Sequence, residues 1–361
     1  MAGKLDRILQ EARRVNASDV HIIAGVPPSF RVNGEIIIAN AEALSREETC
    51  GIVESLLNPA QKDVFARDKA LCFSIYDSVA GRIRVTAYYH AGNPELSIRL
   101  CTLEVKSARE LGLPPIIEDF ARRPNGLVLI TGPTGVGKTT SMTYMVDLIN
   151  RERRCKVVTI EDPVEFVHER KKAIIVQQEV HTDVMSFSKA LVHVLRQDPD
   201  VIVIGEMRDL ETISTALNAA ETGHLVIATL HTPNVMQTVE RIVSAFPADQ
   251  QNQVILHLAN CLQGVVAQEL LPRADGTGQV LACEVLVATV GVRNIVRENN
   301  LHLLYNAIQT GHSHGMVTMD RALIDHYQRG TITYDVAVSR MRDPSPIQKK
   351  EKRAATSRLE P

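Results

Sequence analysis

Two patterns of apolar and polar positions divide the chain. Residues 4–15 put Leu5, Ile8, Leu9 and Ala12 on one face of a helix. Val20–Ala24 and Phe30–Ile38 read as strands, and Asn33-Gly34 between apolar positions signals a hairpin turn. Ser45 followed by Glu48 is a capping box that opens a helix running to about Leu57. Asn58-Pro59 opens a second helix, because proline suits the first helical position. Leu71–Tyr76, Arg82–Tyr89 and Glu95–Leu100 predict three more strands, so residues 1–100 form an α+β module. Residues 101–123 read as a linker: Leu111 to Pro115 holds two consecutive prolines, which remove backbone donors and fix the backbone. A short helix, Ile116–Arg122, closes that linker, and Pro124-Asn125-Gly126 turns the chain onward.

From residue 124 to 288 the pattern changes. Leu127–Thr131, Lys156–Ile160, Val201–Ile204 and Leu225–Leu230 are apolar runs without alternation, which suits a parallel sheet covered on both faces. Helices at Lys138–Asn150, Phe187–Arg196 and Leu210–Glu221 fall between them, the grammar of a doubly wound α/β domain. A hairpin follows Ala259, with Asp275-Gly276-Thr277-Gly278 as its turn. Four short helices are predicted within 289–343, near 289–297, 300–309, 316–329 and 333–341. The tail 344–361, rich in Lys, Arg, Ser and Pro, is expected to be disordered.

Composition narrows the function classes. A net charge of −2 on 361 residues gives no bulk attraction for nucleic acid or an anionic membrane. No apolar run reaches the roughly 18–20 residues of a membrane span, and the N-terminus lacks the apolar stretch of a secretory signal. Cys50, Cys72, Cys101, Cys155, Cys261 and Cys283 include no pair at zinc-ribbon or thioredoxin spacing. Scattered thiols fit a reducing compartment, so a cytoplasmic location is expected.

The chemistry starts at Gly132, Pro133, Thr134, Gly135, Val136, Gly137, Lys138, Thr139 and Thr140. This run fits the Walker A pattern, with an apolar strand before it and a helix after it. Its glycines let backbone N–H groups reach phosphate oxygens, and the helix N-terminus adds partial positive charge. Lys138 is expected on the β- and γ-phosphates of ATP, and the Thr139 hydroxyl on Mg²⁺. Glu206 ends the apolar strand Val201–Ile204, at the edge where parallel sheets bind ligands, and is placed to orient or deprotonate a water. Many P-loop proteins carry Asp at the position of Gly205, so metal contacts here fall to Glu206 or another acid. Glu161, Asp162 and Glu165 crowd the end of the preceding strand, and such like charges favour a cation between them. Glu161 is the candidate for Mg²⁺, partly through water. His231 lies just past the last parallel strand and could sense the γ-phosphate, with His224 at its other end.

Four motifs in this order resemble the secretion ATPase superfamily: GPTGVGKTT (132–140), TIEDPVEF (159–166), RQDPDVIVIGEMRD (196–209) and TGHLVIATLHT (222–232). The chain is most similar to the type IV pilus retraction ATPases, the PilT family, through ASDVHIIAGVPPSFRVNGE (17–35), GVRNIVRE (291–298) and IQTGHSHGMVTMDRAL (308–323). The resemblance implies a RecA-like P-loop NTPase domain, an N-terminal α+β PAS-like domain and C-terminal helices. It further implies a homo-hexamer in which N-terminal arginines reach a neighbour's nucleotide: Arg84 and Arg99, with Arg82 possible. A platform protein at the cytoplasmic face of the inner membrane is the implied partner, with Arg293, Asn294 and Arg297 passing on the motion. The implied activity is ATP hydrolysis driving pilus retraction and twitching motility. Alternatives are an accessory PilU-like ATPase, a pilus-extension or type II secretion motor, a DNA-translocating motor, and a nucleotide-gated regulatory module. The extension and secretion motors carry a tetracysteine zinc site that this cysteine spacing excludes.

Overall fold

The computed structural model describes residues 2–32, 34–101 and 104–347. Asn33 of the hairpin signal, Thr102 and Leu103 of the expected linker, and 348–361 of the expected tail lie outside the described residues. The chain forms two compact units: residues up to Glu104 together with Asp162–His168, and Val105–Glu161 together with the chain from Glu169 onward.

The first unit contains α1 (Ala2–Arg14), β1 (Asp19–Ile22), β2 (Ser29–Val32), β3 (Glu35–Ile38), α2 (Arg46–Leu56), α3 (Pro59–Asp68), β4 (Ala70–Asp77), β5 (Gly81–His90) and β6 (Asn93–Leu100). Both helix starts anticipated from capping chemistry form. The Ser45 hydroxyl accepts from the Glu48 amide at 3.2 Å while Glu48 accepts from the Ser45 amide at 2.8 Å, and Asn58 and Gln61 repeat the arrangement. The six strands are antiparallel in the order β3-β2-β1-β6-β5-β4. Strict alternation along β5 buries Ile83, Val85 and Ala87 and leaves Arg82, Arg84 and Thr86 on the opposite face. Patterning of the core therefore determines which way the arginines point.

The second unit begins with α4 (Ala108–Leu111) and α5 (Ile116–Ala121). The prolines at 114 and 115 interrupt the helix as expected, yet the segment is not a free linker. Leu113, Ile117, Phe120 and Ala121 are buried in the large core of this unit. Phe120 lies so close to Gly264 that a Cβ there would approach its Cζ to 2.1 Å. The part of the expected linker from Leu113 to Ala121 thus belongs to the second unit, because apolar spacing at 113, 117 and 120 governs packing even where proline forbids long helix.

Next come β7 (Gly126–Thr131), α6 (Lys138–Glu152), β8 (Lys156–Glu161), β9 (Ile174–Glu179), α7 (Phe187–Val194), β10 (Val201–Ile204), α8 (Leu210–Glu221) and β11 (Leu225–Leu230). They are followed by α9 (Val235–Ser244), α10 (Ala248–Cys261), β12 (Leu262–Pro272) and β13 (Gln279–Val287). The sheet runs β13-β12-β7-β11-β10-β8-β9, parallel except for β13. β7, β10 and β11 are buried at every position, as their unbroken apolar runs demand. β9, α4, α9 and α10 are additional to the elements expected from sequence.

The C-terminal region holds α11 (Val290–Arg297), α12 (Leu304–Thr310) after a 3₁₀ turn at Leu301–Leu303, α13 (Met319–Gln328) and α14 (Tyr334–Arg340). The first residues of the expected disordered tail are packed instead: Ile347 is buried in a small core with Leu271, Leu323, Ile332 and Ala337. Among the described residues no helix is long and apolar enough to cross a membrane.

Candidate active site

Parallel register carries the ends of several strands to one edge of the second unit's sheet. Thr131 pairs with Leu230, Ile204 with Ala228, and Ile204 with Ile160. The residues that leave these strands, Gly132, His231, Gly205 and Glu161, therefore emerge side by side. At the first of these exits the chain turns with Gly132 at φ 138°, and a Cβ there would lie 2.4 Å from the carbonyl oxygen of Gln268 on β12. Only glycine tolerates both constraints. The loop ends at Gly137, which caps α6 at φ 87° without any side-chain cap bond. The leading N–H groups of α6 thus face the loop as donors for an anion. Pro133, Thr134, Gly135 and Thr140 are exposed, Gly137 and Thr139 half-buried, and Val136 and Lys138 buried. The loop presents its rim and keeps its anchor inside.

Lys138 Nζ donates to the carbonyl oxygens of Gly132 at 2.7 Å and Pro133 at 2.8 Å. Burial pushes its pKa below the usual lysine value, and the charge of Glu206 opposes that shift. His231 Nδ1 lies 3.4 Å from the same ammonium and 3.5 Å from the Thr134 hydroxyl. His231 Nε2 lies 3.1 Å from Glu206 Oε1. An imidazole bearing its proton on Nε2 satisfies both neighbours, accepting from lysine and donating to glutamate. Arg208 Nε donates to the same Glu206 oxygen. Burial acts to raise the Glu206 pKa, but the bond and charge of Arg208 and the contact with His231 outweigh it and hold the carboxyl below its ordinary value. Lys138, His231, Glu206 and Arg208 form one alternating line along the pocket. Arg208 is the member sequence reasoning missed; an arginine four residues beyond a strand end carries no periodic signal.

Glu161 ends β8, where Oε1 accepts from Thr159 Oγ1 at 2.6 Å and from Gln177 Nε2 at 3.1 Å. The expected triple-carboxylate cluster is not formed. Asp162 and Glu165 belong to the first unit, where their charges act on Arg84. Among the described residues no group of three or more His, Cys, Asp or Glu side chains is arranged to hold a metal. The absence of Asp at position 205 has a steric reason. A Cβ on Gly205 would come within 3.1 Å of the Ile160 carbonyl oxygen and 3.3 Å of Glu161 Cα. His224 sits at the start of β11, the opposite edge from the loop, and its Nδ1 is 2.9 Å from the Ala219 carbonyl oxygen at the end of α8. It closes a helix end rather than facing the pocket.

Within the first unit, Arg84 on β5 and Arg99 on β6 are direct cross-strand partners, and Arg99 is in turn paired in register with Asp19 on β1 and, beyond it, Arg31 on β2. Arg99 Nε donates to Asp19 Oδ1 at 2.9 Å, and Arg84 Nε to Cys72 Sγ at 3.2 Å. Arg82 donates to the Val164 carbonyl oxygen at 3.0 Å. Like charges directly opposite destabilise a sheet, so this row concentrates positive charge beyond what folding requires.

Comparison with known proteins agrees with this geometry. The sequence model of the family described as "Type II/IV secretion system protein" matches residues 2–358. The chain is 39% identical to the "Type IV pilus retractation ATPase PilT" of Pseudomonas aeruginosa, over 94% of this chain and 98% of that protein. It is 38% identical to the "Type IV pilus ATPase PilU" of the same organism, over 93% and 88%. A solved structure described as "Crystal Structure of the Pilus Retraction Motor PilT and Bound ADP" superposes with a TM-score of 0.89 at 40% identity, covering 95% of this chain and 98% of that one. The loop at 132–140, the Glu206–His231 pair and a match along almost the full length lead to one assignment: the chain belongs to the Type II/IV secretion system protein family, with a RecA-like ATPase domain behind an N-terminal domain.

Proposed function

We propose that this chain is an ATP-hydrolysing motor subunit that drives type IV pilus retraction. The observation that supports it most is the line Lys138–His231–Glu206 beside an uncapped helix start, which joins a phosphate cradle to a carboxylate held ionised. The loop 132–140 would bind the phosphates of ATP through its backbone and Lys138. Thr139 would hold Mg²⁺ directly and Glu206 and Glu161 would reach it partly through water, a donor set that suits an ion keeping most of its water shell. Such an ion would screen the β- and γ-phosphate charge. Glu206 would orient the attacking water and take its proton, and His231 would report the change from γ-phosphate to product through its contacts with Lys138 and Glu206.

The row holding Arg84 and Arg99 suits a second role. In a homo-hexamer these guanidinium groups would come to the γ-phosphate from a neighbouring chain, where a permanent charge stabilises the transition state. The motor would work in the cytoplasm at the inner-membrane face, against a platform protein of the pilus machine, with no nucleic acid involved. Deleting the gene tests the reading. The expected result is cells bearing abundant surface pili that do not twitch. Bald cells would overturn it in favour of an extension motor, and cells that still twitch would make the chain accessory.

A further inference from the structure

Gln268 lies on β12 one residue beyond Ala267, which pairs with Thr131 at the end of β7. It is 1% exposed. Folding alone gives little reason for an amide in that place. Its Nε2 donates to the Ser141 hydroxyl at 2.6 Å, while its Oε1 is buried with no hydrogen-bond partner among the described residues. A buried amide with half of its bonding capacity unmet is costly, and an apolar side chain of the same shape would avoid that cost. What the amide does achieve is a bond to the helix that follows the phosphate loop.

Gln268 meets that loop at both of its ends. At the entrance, its backbone carbonyl packs against Gly132 so closely that a Cβ there would come within 2.4 Å of the oxygen. At the exit, its side chain reaches Ser141 in the first turn of α6, and the Ser141 hydroxyl donates onward to the Gly137 carbonyl at 3.2 Å. The Ser141 amide donates to the same carbonyl at 3.0 Å. The directions agree along the chain: amide to hydroxyl, hydroxyl to carbonyl. β12 is itself fixed on both sides, by β7 through Ala267 and by β13 through the pairing of Gln268 with Cys283. The brace is therefore built on the sheet and not on a loop. Lys138 closes the phosphate loop from inside through the Gly132 and Pro133 carbonyls, and Gln268 holds it from behind.

We infer that Gln268 is a positioning residue for the phosphate loop, fixing the spacing of its Gly132 and Gly137 ends through its carbonyl and its bond to Ser141, so that the loop is set for phosphate before nucleotide arrives. The inference rests on the ATPase reading above, and the experiment separates the two. Equilibrium binding of a fluorescent ATP analogue and Tm are measured on the full chain with Gln268→Met, with Ser141→Ala and with both. Gln268→Met keeps the length of the side chain and removes the amide. It is expected to weaken analogue binding about tenfold, the upper worth of one hydrogen bond, while Tm holds or rises. Ser141→Ala breaks the same bond but strands the buried amide, so affinity should fall by a similar factor and Tm should drop. In the double variant Tm should return to that of Gln268→Met, while affinity stays about tenfold down because both substitutions remove one bond. A residue serving the fold alone would move Tm and leave the affinity of the folded chain unchanged. Native affinity in either single variant would overturn the inference, as would losses that add in the double variant. If neither single variant folds, Gln268 is only structural and the inference is equally overturned. A native chain that binds no analogue would instead remove the ATPase reading itself.

Discussion

Glu206→Gln is expected to lower kcat about 10²–10⁴-fold, the usual worth of a positioned general base, with ATP affinity unchanged. The amide keeps the size of the side chain and can still accept from Arg208 and His231, so the pocket should keep its shape. What it loses is the negative charge. Arg208 and His231 maintain that charge against burial, and Lys138, whose own charge burial disfavours, is partly supported by it. No phosphate-loop contact of Lys138 depends on Glu206, because the ammonium donates to the Gly132 and Pro133 carbonyls. Phosphate release and equilibrium binding of a fluorescent ATP analogue measure the two quantities separately. Turnover at the native rate would remove Glu206 from the catalytic role.

Arg84→Ala combined with Arg99→Ala is expected to reduce hydrolysis about 10³-fold, the lower range for arginines that stabilise phosphoryl transfer. The two guanidinium groups stand opposite each other on β5 and β6, an unfavourable pairing that Asp19 offsets only at Arg99. Removing both relieves that repulsion but leaves the buried Asp19 carboxylate without its arginine partner, so a lower Tm is expected beside the loss of activity. Arg84→Ala alone keeps the Arg99–Asp19 pair, so its Tm should hold while activity falls. If the arginines act on a neighbouring chain, mixing this double variant with Lys138→Ala chains restores hydrolysis, since some interfaces then combine an intact loop with intact arginines. Arg82→Ala is expected to matter less for chemistry, because Arg82 is engaged by the Val164 carbonyl.

The phosphate loop and the strands beneath it were legible because local rules decide them. Unbroken apolar runs at 127–131, 201–204 and 225–230 demand burial on both faces, and the glycines at 132 and 137 are required by backbone angle and by the approach of Gln268. The capping box at Ser45 and the helix start at Asn58-Pro59 are equally local and form as read. What escaped depends on partners far along the chain. Residues 105–123 look like a linker from their prolines, but Ile117 and Phe120 find their places only against the core of the second unit, Phe120 over Gly264 on β12. β9 carries Gln177, Gln178 and Glu179 at the sheet's edge, where one-sided packing weakens the apolar signal. The acidic run 161–165 reads as a single cluster, yet the chain leaves the strand after Glu161 and carries Asp162 and Glu165 to the first unit.

Pulling on a single pilus with an optically trapped bead tests most directly whether hydrolysis at this pocket drives retraction. Cells carrying the native gene should draw attached beads inward, and cells carrying Glu206→Gln in its place should hold beads on full-length pili without shortening them. Retraction at the native rate with Glu206→Gln would contradict the account.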